Sequence, residues 1–163
     1  MATSPGSGIK GAITDAMRDM LAGSATWQSW TGTANATDAK AYIHDVAVAE
    51  SDAALPLCII EPGDAIRRRD GNGLWTTSGE IDLHFYGDVT ESAIPDAFWE
   101  FQNQLDGVVQ DLTDASESDG GLFVTEVDMG RPARLATDGG EQDEAGNARN
   151  EYFAHVRLTF GAS

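Results

Sequence analysis

Cys58 is the chain's one cysteine, and His44, His84 and His155 are its three imidazoles. Nucleophilic or metal chemistry would have to be built from these positions and the carboxylates around them. Cys58 stands in the apolar run Leu57-Cys58-Ile59-Ile60, where a thiol behaves as a small hydrophobe. A nucleophile needs a base beside it, and no histidine is near it in sequence. The histidines fall in segments with strand alternation, on outward-facing or ambiguous positions, and none has a Cys or acidic neighbour at a zinc-ligand spacing. His84 shares a strand face with Asp82, so the two could pair or share a cation; a surface imidazole is the simpler reading. Asp70-Gly71-Asn72-Gly73 begins like a calcium loop. Leu74 takes the third ligand position and no Glu closes the loop, so a hairpin turn is expected instead. Asp138, Glu141, Asp143 and Glu144 read as a solvated acidic loop. Glycine-rich phosphate loops, HExxH and GxSxG are absent from the sequence. The expectation is no catalytic residue, no metal and no cofactor.

Charge points in a different direction. Arg67-Arg68-Arg69 is the one basic cluster in a chain with 27 Asp and Glu against 10 Lys and Arg, a formal net charge of −17. Such a run either guards a hairpin edge against strand pairing or meets an acidic partner. Since the rest of the chain is negative, a neighbouring copy of the same protein is a natural complement. Trp27, Trp30 and Trp75 fall in stretches that read as loops or hairpin arms, and Trp is enriched at interface hot spots. Together with Arg131 and Arg134, these residues (Arg67, Arg68, Arg69, Trp27, Trp30, Trp75) form the candidate subunit interface.

The net charge excludes a protein that grips nucleic-acid phosphates, which requires a basic stripe, and argues against anionic membranes. No apolar run approaches the roughly 20 residues of a spanning helix, and Met1–Lys10 has no apolar signal core. A soluble protein made inside the cell is expected. Asp outnumbers Glu 17 to 10, and only Lys10 and Lys40 among the basic residues are lysines. This bias suits a surface kept hydrated in concentrated salt, where charge repulsion is screened; a high-GC genome would produce a similar composition.

The elements that must position these residues follow from periodicity. Residues 1–8 read as a flexible arm. Ile9, Ala12, Ile13, Ala16, Met17, Met20 and Leu21 make one helical stripe, with Ser7 as cap and Gly23 as stop. Trp27–Asp38 reads as an extended loop, and Tyr42, His44, Val46 and Val48 as a strand face. Leu57–Ile60 reads as a buried strand, Ile66–Arg69 and Leu74–Thr77 as a hairpin, and Ile81, Leu83 and Phe85 as a half-buried strand ended by Gly87. A second helix starts near Pro95 and aligns Phe98, Phe101, Leu105, Val108, Val109 and Leu112. Thr113–Gly121 and 137–150 read as acidic loops, Leu122–Met129 as a strand, and Arg131–Leu135 as a β-arm. Tyr152, Ala154, Val156, Leu158 and Phe160 alternate with Phe153, His155, Arg157 and Thr159 in a last strand. The sum is one α+β domain over residues 1–163, with a mixed or antiparallel sheet, two amphipathic helices packed on it, and extended hairpin arms.

This order resembles the tail terminator (tail-completion or neck) proteins of long-tailed phages and tailed archaeal viruses. The residues that carry the resemblance are Leu55-Pro56-Leu57-Cys58-Ile59-Ile60, the alternating Gly79–Tyr86 strand, the Pro95–Leu112 helix, and the closing aromatic-x-Arg strand Tyr152–Phe160. It spans Ile9 to Phe160 in order and is a resemblance of pattern. It implies a non-enzymatic virion protein: a homo-hexameric ring, assembled in the host cytoplasm, that stops tail-tube growth and joins the tube to a neck or head-closure protein. An acidic lumen would let DNA pass without specific binding. Another virion structural protein (head-closure adaptor, tail-tube or baseplate subunit) or a small-ligand or enzymatic module would fit the same elements less closely.

Overall fold

Strand alternation and helical stripes put one set of apolar residues on a shared inner layer. In the computed structural model the described residues are 8–45, 55–69, 71–89, 94–118, 122–134 and 150–162. The elements are α1 (Ile9–Ala22), α2 (Ala25–Thr31), α3 (Ala36–Ala39) running into a 3-10 turn (Lys40–Tyr42), β1 (Ile43–His44), β2 (Leu57–Arg69), β3 (Trp75–Val89), α4 (Ile94–Ser118), β4 (Leu122–Met129), β5 (Ala133–Arg134) and β6 (Asn150–Ala162). The sheet order is β1-β2-β3-β6-β4, with β5 also on β6. Among the described residues only the β1–β2 pairing is parallel, so the sheet is mixed and the fold is α+β, as the element pattern predicts.

Cross-strand partners share a face. Cys58↔Phe85↔Ala154, Ile60↔Leu83↔Val156 and Ile81↔Leu158 therefore line up on the helix side, and all eight are buried. Phe101, Leu105, Val108 and Leu112 of α4 and Met17 and Leu21 of α1 close the layer over them. Two bulges explain where the simple period of two breaks. Between Pro62 and Ala65 the β2 register shifts, and Gly79 opposite it has no room for a Cβ, which would run into the Asp64 carbonyl oxygen. A second shift between Val124 and Glu126 moves the inward set from Leu122 and Val124 to Val127, and Met129 beyond it is exposed.

Several boundaries differ from the sequence expectation. Trp27–Asp38 is not an extended loop: α2 and most of α3 occupy it. Ser24 caps α2 by accepting from the Trp27 backbone N–H, and Gly32 ends it with φ +70°. The short polar caps there are read as loop because a seven-residue helix shows too few turns for a stripe. α4 continues through the acidic stretch to Ser118, so residues 113–118 are helix and not loop. Its Gln–Asp pairs at i, i+4 (Gln102 to Asp106 at 2.7 Å, Gln110 to Asp114 at 3.0 Å) support an exposed polar side. Gly87 does not end β3, which runs to Val89; a Cβ there would meet the rings of Trp30 (2.8 Å) and Phe101 (3.0 Å). Tyr42 belongs to the 3-10 turn, and the core residue of the next strand is Ile43 and not His44. Gly8 stands at the N-cap of α1; Ser7, the arm up to it, Val46, Val48 and the loop 137–149 lie outside the described residues, while Asn150 belongs to β6. Of the arm Arg131–Leu135, Ala133 and Arg134 form β5 against Phe153 and Tyr152. Among the described residues no helix is long and apolar enough to cross a membrane.

Candidate functional site

The β2–β3 hairpin is made by the turn residues around Gly71-Asn72-Gly73, with Gly73 at φ +82° where a Cβ-bearing residue would be strained. Arg69 opposes Trp75, Arg68 opposes Thr76, and Arg67 opposes Thr77. The sheet's next strand reaches Thr77 with its Ala162, so Trp75, Thr76, Arg68 and Arg69 reach past that last recorded β3–β6 pair. Leu74 and Trp75 are 66% and 52% exposed, and Ile66 is exposed too. The Arg67 guanidinium lies 5.2 Å over the Trp75 ring, a cation–π contact that orients both. Arg69 donates from Nε to the Gly73 carbonyl at 3.3 Å, tying the turn. The arm is thus an apolar tip with fixed guanidinium flanks.

The sheet face away from the helices carries a second arrangement. Asp82 accepts from Arg157 Nε at 2.9 Å and bonds His155 Nε2 at 2.8 Å. His84 Nε2 meets Glu61 at 3.1 Å, and the two imidazoles, directly opposite across β3 and β6, stack at 5.0 Å. Phe153 stacks on His84 at 6.0 Å and tilts against Tyr86 at 5.0 Å. Burial alone would raise the Asp82 carboxyl, but hydrogen bonds from Arg157 and His155, with their charges, outweigh it and hold it below the usual range. Chemically this face is a paired ladder: each imidazole has a carboxylate. Among the described residues no group of three or more His, Cys, Asp or Glu is placed to hold a metal ion. Cys58 is fully buried on the opposite side, and burial pushes its thiol well up.

A third feature is an open groove of about 620 Å³ where the ends of α1 and α4 meet the start of α2 and β4. Its floor comes from Ala16, Met20, Ala115 and Leu122, with Asp19, Asp111 and Asp114 around it. Asp111 is engaged within the fold: it accepts from Ser24 Oγ at 2.7 Å and from the Thr26 backbone N–H at 3.0 Å, anchoring the start of α2. Burial opposes its ionisation, and those hydrogen bonds prevail, so its carboxyl is also held low.

The eight candidate interface residues fall in three places. Arg67, Arg68, Arg69 and Trp75 come together on the exposed arm. Trp27 is fully buried and Trp30 half-buried, with Trp30 edge-on to Phe101 at 5.3 Å and stacked on Phe85 at 6.2 Å. Trp27 is therefore a core residue and not an interface anchor, because α2 turns its indole inward, where Nε1 donates to the Ala39 carbonyl at 3.4 Å. Arg131 and Arg134 lie at the other end of the sheet, near Tyr152, far along β6 from the arm. Sequence reasoning missed the Glu61–His84–His155–Asp82–Arg157 ladder as a unit. The shared strand faces were visible; the register that sets Asp82 opposite Arg157 and beside His155 was not. It also missed Asp111, for which a helix surface Asp offers no local signal.

A scan against protein-family models finds no match for this chain, and a search of curated proteins finds no relative.

Proposed function

We propose that this chain is a ring-forming structural subunit of the tail-terminator type, which caps a tail tube, joins it to the head-side neck, and leaves an acidic lumen for DNA. Its mechanism is assembly. The observation that carries the reading is the β2–β3 arm: exposed Ile66, Leu74 and Trp75 with Arg67, Arg68 and Arg69, on a chain of net charge −17. An apolar tip flanked by the chain's one cationic run suits contact with a strongly negative surface, and the surface most available to it is another copy. The α+β order of elements agrees with the resemblance. The same negative charge repels phosphate, which lets a duplex slide through without adhering. Electron microscopy of the purified protein in roughly molar salt, where the screening length is about 3 Å, tests this: closed six-fold rings with an acidic lumen are expected. Rings with a basic lumen, or no rings, would overturn it.

A further inference from the structure

The register fixes where the arm and the groove lie relative to each other. Thr77, at the base of the arm, pairs with Ala162, and Ala162 pairs with Leu122, which lines the groove. Arm and groove therefore sit at the same end of the sheet. They are on opposite flanks: the arm belongs to β2 and β3, and the groove reaches the edge strand β4. Copies placed side by side by a rotation bring the arm of one to the groove of the next, a heterologous contact of the kind that forms a ring when the rotation closes.

The chemistry of the two surfaces is complementary. The groove has an apolar floor of Ala16, Met20, Ala115 and Leu122, whose small residues leave the space open. Its size falls within the roughly 300–1,000 Å³ of clefts that take drug-sized ligands, a volume on the scale of an indole with a neighbouring leucine. Its rim carries the exposed carboxylates of Asp19 and Asp114; Lys40 is the ion-pair partner of Asp19. The arm offers Trp75 and Leu74 for the floor and Arg67 to Arg69 for the rim. Arm against arm would set arginines against arginines, and groove against groove carboxylates against carboxylates, so the charges disfavour both symmetric alternatives.

We infer that the Trp75 arm of each copy seats in the acid-rimmed groove between α1 and α4 of its neighbour, and that this knob-in-groove contact is what closes the ring. The inference rests on the reading of the chain as a ring-forming subunit. Two variants test it, both at exposed positions: an arm variant, Trp75→Glu, and a groove variant, Asp19→Arg with Asp114→Arg. Light scattering in molar salt reads the mass, and far-UV circular dichroism checks the fold. The expected result is that wild type forms rings and each variant alone is a monomer of 17.3 kDa. An equal mixture then stops at a 1:1 dimer, because it contains one working arm and one working groove. If the double reversal fails to fold, Asp114→Arg alone serves as the groove variant. Rings that persist in either variant, or variants that stay monomeric when mixed, overturn the knob-in-groove contact while leaving a ring intact. A wild type that is monomeric at every salt concentration overturns the ring reading itself.

Discussion

Trp27 and Trp75 are the same residue type in two regions that use it in opposite ways. Trp27 is fully buried beneath α2, edge-on to Trp30 at 5.6 Å and to Phe85 at 5.8 Å, and its indole N–H has a partner. Trp75 is half exposed at the tip of a hairpin, where the guanidinium of Arg67, diagonal to it across the strand pair, lies 5.2 Å over its ring. The difference lies in the backbone that carries them. A capped helix turns Trp27 toward the sheet, whereas a glycine turn carries β3 past Thr77, its last partner of β6 among the described residues, and leaves Trp75 52% exposed. One region stabilises a single chain; the other has the composition of a surface that meets something else.

The comparison can be broken most sharply by truncation. Trp27→Ala should cost about 3–5 kcal/mol in urea unfolding, and Trp75→Ala should stay within about 0.5 kcal/mol. A comparable loss at both would mean that Trp75 also packs in the single chain. A smaller effect is expected at Gly87→Ala, which puts a methyl against the Trp30 and Phe101 rings and should cost about 1–3 kcal/mol; a thermal melt reads it. Next is the pair of engaged carboxylates. Asp82 and Asp111 have folded pKa values below their ordinary 3.8. Their contribution is complete above that value and is lost as pH falls through the lower folded values. Unfolding titrations of Asp82→Asn with Asp111→Asn should show a stability that falls less steeply below about pH 4 than that of wild type. Asp111→Ala alone should lose about 1 kcal/mol as α2 loses its anchor, read as faster amide exchange in residues 25–31.

Much of the fold was legible in the residues. The alternation of Ile81, Leu83 and Phe85, the stripe Phe101–Leu105–Val108–Leu112, and the last strand from Tyr152 to Phe160 all fall where periodicity places them. The turn at Gly71–Gly73 was legible because only particular residues accept its backbone. What escaped was non-local or too short. α2 depends on Asp111, eighty-odd residues away, for its capping network. The acidic run after Leu112 stays helical although it carries no apolar stripe of its own. The bulges at Pro62 and Val124 shift faces midway along a strand, which a fixed period of two does not anticipate. For the candidate site, the arm and its arginines could be read directly, because a turn signal and a charge run are local. The groove could not, since α1, α4 and β4 contribute to it from distant parts of the chain.

The central claim is that copies of this chain join through surfaces that the single fold leaves open, despite a charge of −17 on each. Multi-angle light scattering across a salt series tests it most directly. Ring assembly predicts one discrete species of several copies, a hexamer, in roughly molar salt and its dissociation as salt is withdrawn and the screening length grows toward 10 Å near 0.1 M. A chain that runs at 17.3 kDa at every salt concentration would contradict it.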